Sequence, residues 1–400
     1  MNGVYVKSML MILYATSLTM AADQQINIHT SLDQKDPDLA ININGQCVVV
    51  WNSYAQDSNS GGIFMRQMDP NGPTGPEFQI NATATGNQAE PTVAINGEGY
   101  FLVAWRGPWP GSDEEDEEDV LARIFDPNGQ PLTDDLHVNT HTATSQGCPR
   151  VAASLAGRFM VVWESDSSPN ATRQCILGQL YDQTGTPLGL EMEISDTPSY
   201  AARYPDVAMD SQGQFAVSWM EDRTTDSVRV RLFDANGEAK GPSSKVNTIS
   251  FKSLTWPSIA MNAEGTFVIV WDGDPNKASD DDVHARIFDP NATPLADEFM
   301  VNITQSGAQV NPRVALDGQG NFIVVWEGPS VDPNGGTDVF GQCFDATGLH
   351  LGEELRLNEF MAGNQGQPDV GLGENGRLIT VWESIGQDGS ESGIFGITGP

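Results

Sequence analysis

The residues best suited to chemistry in this chain are oxygen-bearing side chains in closely spaced sets. The sharpest is Asp272-Gly-Asp274-Pro-Asn276-Lys-Ala-Ser-Asp280, with oxygen side chains at positions 1, 3, 5 and 9. Hard cations take shells of carboxylate and amide oxygens, so this spacing points to Ca2+ held by Asp272, Asp274, Asn276 and Asp280. Lys277 stands where a calcium loop has its turn glycine, and no bidentate Glu closes the run. Acids crowd other segments too, above all the unbroken block Asp113–Asp119. The competing reading is a solvated acidic surface that keeps the protein soluble.

A second set is aromatic. Trp109 and Trp256 sit in polar segments, as do Tyr54 and Tyr204. Rings beside carboxylates and amides suit carbohydrate, with stacking on sugar C–H faces and acids bonding hydroxyls; partial burial against neighbouring loops is the alternative. Glycoside hydrolysis needs two carboxyl groups roughly 5–10 Å apart with divided pKa values, and the many acids single out no pair. Arg150 and Arg313 begin strands near the centre of the fold described next, without an evident third basic partner. The five His are scattered, which argues against a His-rich metal centre.

These side chains are positioned by a repeat. A Pro is followed fourteen residues later by a Trp seven times, from Pro37/Trp51 to Pro368/Trp382, and the Trp-to-Trp interval runs from 52 to 58. Ten residues before each Pro stands Asn27, Asn81, Asn139, Ser195, Asn247, Asn302 or Asn358. Each unit reads as four short strands punctuated by Gly, Asn, Asp and Pro, as in PTVAI, FLVAW, VLARIFD and DLHVN of the second unit. Four strands in roughly 50 residues describe a propeller blade. The expected fold is all-β: a seven-bladed β-propeller of four-stranded antiparallel blades. A length prior of two or three domains thus becomes one ring. The recurring Trp residues fill blade interfaces, and the Asp of each Phe/Tyr-Asp pair fixes a hairpin turn.

The seventh unit stops after its third strand, GIFGI, while DQQIN at 23–27 aligns with the fourth strand EFQIN at 77–81. The N-terminal strand is therefore expected to complete the C-terminal blade. Residues 1–22 place Lys7 before an apolar run and then small residues, the order of a signal peptide, leaving 23–400 as the propeller. Cys47 and Cys343 replace repeated apolar residues and read as buried thiols. Cys148 and Cys175 flank next-but-one strands, roughly 9–10 Å apart, beyond bridging reach unless the loops bend inward. Asn-x-Ser/Thr triplets begin at Asn81, Asn170, Asn291 and Asn302.

The pattern VVWES…DVFGQxFDxxGxxLGxExxxN resembles the tandem repeats of secreted, often calcium-rich bacterial surface proteins, over 23–400. That resemblance implies a propeller outside the cell, secreted or at the cell surface, and no particular reaction. The Asp272–Asp280 run likewise resembles the short Ca2+ loops of integrin-type propellers. A formal charge of −34, from 54 acidic and 20 basic residues, disfavours nucleic acid and anionic membranes. The connections from second to third strand and from each fourth strand to the next unit are the longer, variable ones, and strand alternation puts both on one face. The expected function is an extracellular scaffold that binds a protein or glycan through this acidic long-loop face, with Ca2+ as the candidate cofactor. It is expected to be monomeric and not inserted in a membrane. The other reading is a carbohydrate-active hydrolase or lyase using carboxylates of that face.

Overall fold

A computed structural model describes residues 22–399, apart from 59, 70, 110–117, 143, 169–172, 252, 276–279, 333–335 and 374–375. The leader read at 1–22 lies outside the described residues but for Ala22, as do Asn170, Asn276 and most of the acid block. Twenty-eight strands form seven four-stranded antiparallel sheets, and no helix occurs among the described residues. Strands a to d run outward from the axis. In blade 1 they are Gln34–Ile41, Cys47–Tyr54, Gly61–Asp69 and Gly72–Gln79. In blade 7, strands a to c are Gln365–Leu372, Leu378–Ile385 and Ser392–Thr398, and strand d is Gln24–Gln25.

Strand b carries the core. Val48 to Trp51 are buried in blade 1, and all seven repeated Trp side chains are fully buried. The core is divided into seven apolar clusters, each spanning two adjacent blades. In one, Trp163 of blade 3 packs on Val120, Ala122 and Ile124 of blade 2. No blade can bury its own face, so the ring is the folding unit.

Polar repeats lock that ring. The strand-end Asn, or Ser195, accepts the N–H of a strand-c residue in every blade, as in Asn81 from Ile63 at 2.9 Å and Asn358 from Val339 at 2.8 Å. At the closure, Asn27 accepts from Ile394 at 2.8 Å, and Gln24 and Gln25 pair with Gly396 and Phe395. Asn81 and Asn302 are buried by this duty, so two of the four triplets are not free surface positions.

Four residues before the strand-end Asn or Ser, an acid clamps the preceding blade in six of the seven blades. Asp135 accepts from Ala82 and Thr83 N–H at 3.0 Å, Glu354 from Ile303 at 2.7 Å, and Asp23 from Glu359 and Phe360 at 2.9 Å. Blade 4 reverses the polarity: its Ser243 N–H donates to Asp196 of blade 3 at 2.7 Å. In blades 2 to 6 the Asp that opens the turn between strands c and d accepts from residues two and four further on, as Asp234 does from Asn236 and Glu238 at 2.8 and 2.9 Å; in blade 1 Asp69 accepts from Asn71, Pro73 having no N–H. Those bonds hold the Asp234 carboxyl below its usual range.

Candidate functional site at the axial mouth

Two consecutive rings of side chains surround the axis, one on each side of the repeated Pro. The residue before Pro is left-handed in all seven blades, with φ between 45° and 54° at Asp36, Glu90, Cys148, Tyr204, Trp256, Asn311 and Gln367. Proline normally pushes its predecessor to an extended conformation. A non-glycine residue at positive φ costs roughly 1–2 kcal/mol. The strand-a register shifts at this point in every blade, so the strain belongs to a bulge. Carboxylates hold three of the bulges: Glu383 accepts from Asp36 N–H at 2.7 Å, Glu90 from Cys148 at 2.8 Å and Glu164 from Tyr204 at 3.2 Å.

These bulges border a cavity of about 190 Å3 whose lining includes Asp36, Glu90, Cys148, Trp256 and Gln367. The Tyr204 and Trp256 rings lie 4.4 Å apart at 35°. The backbone is the same in each blade while the residue types all differ, and the types are grouped. Acids come from blades 1 and 2, aromatics from blades 4 and 5, and amides from blades 6 and 7. Pro, Trp and Asn repeat because packing needs them; the strained position does not repeat. Seven of the eleven non-glycine residues at positive φ among the described residues thus form one ring of unlike side chains.

Below the mouth, the residue after each Pro faces a shaft of about 140 Å3 lined by Asp38, Thr92, Arg150, Asp206, Ser258, Arg313 and Asp369. Each Asp is tied to the next blade: Asp38 accepts from Val93 at 2.7 Å, Asp206 from Ile259 at 2.8 Å and Asp369 from Leu39 at 2.7 Å. Protein surrounds these carboxyls on all sides even where water reaches them, and burial raises all three pKa values. Asp369, with the Asp38 charge beside it, is pushed up to about 8. Burial likewise lifts Glu383, behind Asp36, to about 7. The Cys148 thiol is pushed up to about 12 by burial and the nearby Glu90 and Glu164 charges, so it stays protonated.

Of the aromatic residues expected to bind ligand, the structure brings together Trp256 and Tyr204. Trp109 instead stacks on His137, with centroids 4.7 Å apart, and packs against the cluster between blades 1 and 2. Tyr54 ends strand b of blade 1 and is 49% exposed. Asp272 and Asp274 lie in strand b of blade 5, Phe267–Asp274, and both are buried, while Asp280 is exposed. Asp272 accepts from the Thr255 hydroxyl at 2.9 Å, and burial pushes it up to about 8. Among the described residues, no group of three or more His, Cys, Asp or Glu is arranged to hold a metal. Several acids of the long-loop face are also internal: Asp119 and Asp338 accept from Asn139 and Asn358 at 2.6 and 2.8 Å. Cys148 and Cys175 are free thiols.

Sequence reasoning placed Arg150 and Arg313 near the axis but missed the ring before Pro. Its signal was seven unlike residues at one fixed offset from an invariant Pro.

The chain is a seven-bladed β-propeller with a polar cavity on its axis. No protein-family model matches it, and no curated protein does. Among solved structures it is similar to a polysaccharide lyase, PL25 ulvan lyase, bound to a GlcA(1-4)Rha3S saccharide, with a TM-score of 0.57 and 11% identity over 95% of this chain and 94% of that one. It is also similar to Penicillium chrysogenum α-L-arabinanase complexed with arabinobiose (TM-score 0.53, 12% identity, 83% and 100% covered). A protein of unknown function from Dyadobacter fermentans gives a TM-score of 0.53 at 10% identity, with 80% and 96% covered. At these identities the likeness is one of fold.

Proposed function

We propose that the protein is an extracellular propeller that binds a glycan at the axial mouth of its long-loop face. The observation that carries this reading is the Tyr204–Trp256 ring pair beside a cavity whose other strained lining residues are Asp36, Glu90, Cys148 and Gln367. Aromatic faces stack on sugar rings while Asp36, Glu90 and Gln367 offer partners for hydroxyls. The propellers of similar fold include a polysaccharide lyase and an arabinanase complexed with arabinobiose, which supports the choice of ligand class. The leader-like residues at the amino end support an extracellular setting.

The test is calorimetric titration with a panel of oligosaccharides. Trp256→Ala is expected to weaken binding at least tenfold and Tyr204→Ala by less, while Trp109→Ala and Tyr54→Ala leave it unchanged. Equal affinity in Trp256→Ala and wild type would overturn the mouth as the site. A second reading, hydrolase or lyase, is favoured by Glu383 behind the mouth and Asp369 in the shaft, whose carboxyls burial pushes up to about 7 and about 8. New reducing ends appearing during the titration, and lost in Glu383→Gln, would establish it in place of simple binding.

Ca2+ remains the proposed cofactor of the segment from Asp272 to Asp280. One carboxylate oxygen of Asp272, Oδ1, is buried without a hydrogen-bond partner, which fits a ligand to a hard cation. Ca2+ is then expected to raise the melting midpoint, chelator to reverse the gain, and Asp272→Asn to abolish the response. An identical midpoint with Ca2+ and with chelator would remove Ca2+ from the description.

A further inference from the structure

The shaft beneath the mouth contains two guanidinium groups with nothing of opposite charge in contact. Arg150 and Arg313 both line the mouth cavity as well as the shaft, so each spans the two spaces. Each makes a single hydrogen bond, to the carbonyl of its own preceding proline: Arg150 to Pro149 at 2.8 Å and Arg313 to Pro312 at 3.0 Å. Neither has a carboxylate oxygen within 4.0 Å among the described residues, whereas Arg106 at the rim is paired with both Glu90 and Glu118. A guanidinium has five N–H donors in a fixed fork, so most of the donor capacity of both side chains opens on the lumen.

Asp38, Asp206 and Asp369 share the shaft with them, and the Asp38 and Asp206 charges favour the charged Arg150 without closing to contact distance. Asp38, Asp206 and Asp369 each give an oxygen to a backbone N–H of the next blade, which stitches strand a to strand a around the shaft. The remaining lumen positions, Thr92 and Ser258, are neutral. The two arginines also feel each other: after burial, the Arg150 charge is the largest influence lowering Arg313. Both guanidinium groups keep donors free toward one small polar space, and burial favours the neutral form of the three acids beside them, so the pair can accept one anionic group.

The geometry points to a carboxylate-bearing sugar as the ligand, its ring stacked at Tyr204 and Trp256 and its carboxylate accepting from Arg150 and Arg313 at the top of the shaft. This rests on the glycan reading above and narrows it to acidic saccharides. Selectivity is the expected signature, because a neutral sugar in the same pose leaves both guanidinium groups as they are. The strongly negative protein repels any anion at long range, so recognition has to come from contact inside the mouth.

The experiment compares trigalacturonate with its carboxyl-reduced form by calorimetry at about 0.15 M salt, where the bulk charge is screened beyond about 8 Å. Wild type is expected to bind the acidic form at least tenfold more tightly. Arg150→Gln and Arg313→Gln are each expected to bring the acidic form down to the neutral level, with neutral affinity within twofold of wild type. Equal binding of both sugars by wild type, or a preference that survives in both variants, overturns the inference. If Trp256→Ala still abolishes binding in that case, the glycan reading stands without it. If neither sugar binds to wild type, this acidic-sugar assignment falls, and the wider panel decides the glycan reading separately. Should a Gln variant melt as unfolded, the wild-type comparison alone decides.

Discussion

Deletion of Asp23–Asn27 is expected to lower the melting temperature by about 10 °C. The segment contributes the outermost strand of blade 7, and its removal breaks several kinds of contact at once. Ile26 is fully buried in the cluster that joins blade 7 to blade 1, with Val49, Trp51, Ile379 and Ile394. Exposing that side chain costs about 2–3 kcal/mol. The Ile394 N–H loses Asn27 as its acceptor, and a buried donor left unpaired costs about 1–3 kcal/mol. Arg66 loses the Ile26 carbonyl at 2.7 Å, and Glu359 and Phe360 lose the Asp23 clamp. The third strand of blade 7 then becomes an open edge, a template for association with other chains. Asn27→Ala removes only the polar part and should give a smaller fall in the same scan. An unchanged melt after the deletion would show that the ring does not depend on its seam.

The second large effect is on pH. Asp272 and Asp369 are pushed up to about 8 and Glu383 to about 7, each mainly by burial. A carboxyl whose pKa is higher in the folded state than in the unfolded chain, where Asp titrates near 3.9, stabilises the fold fully below the unfolded value. That contribution is lost as pH rises toward and through 7 to 8. For Asp272, 1% exposed, the loss between pH 4 and pH 7 is on the order of 4 kcal/mol. Two kinds of group act in the other direction. Burial lowers the pKa of His284, so protonating it below about 6.5 destabilises the fold. Turn acids such as Asp234, held below their usual range by backbone N–H groups, matter only in stronger acid. The net expectation is a higher melting temperature at pH 5 than at pH 8 in the presence of chelator. Asp272→Asn should raise the pH 8 value and flatten the profile. A midpoint that climbs from pH 5 to pH 8 would refute the assignment of these protons.

Much of the fold was legible because packing positions repeat. Pro37 to Pro368, Trp51 to Trp382 and Asn27 to Asn358 recur at fixed offsets, since every blade solves the same burial problem against its neighbour. The missing fourth strand of blade 7 could be found at the other end of the chain for the same reason. The site was less legible, and the causes differ from residue to residue. The left-handed conformation before each Pro runs against the local preference of that dipeptide and is imposed by a bulge in the assembled ring. Trp109 and Trp256 are alike as residues in polar segments, and only the fold puts one over His137 and the other on the axis. The acids were hardest to sort. Asp23, Asp135 and Glu354 bind backbone of an adjacent blade, Asp119 and Asp338 pair with Asn inside one, and a composition count cannot separate them from solvated charge.

The clamping acids also say something about the seam. Asp23 holds Glu359 and Phe360 with the same chemistry that Asp135 uses on Ala82 and Thr83, and Asn27 caps strand c of its blade as Asn81 does. At the place where the circle is broken the closing strand therefore keeps the cap and the clamp, and what blade 7 lacks is the Asp-held hairpin turn between its strands c and d. Interface chemistry thus gives the ring a near-equivalence that connectivity conceals: cutting another hairpin and joining the present ends would move the seam at the cost of one turn and keep the caps and clamps between blades.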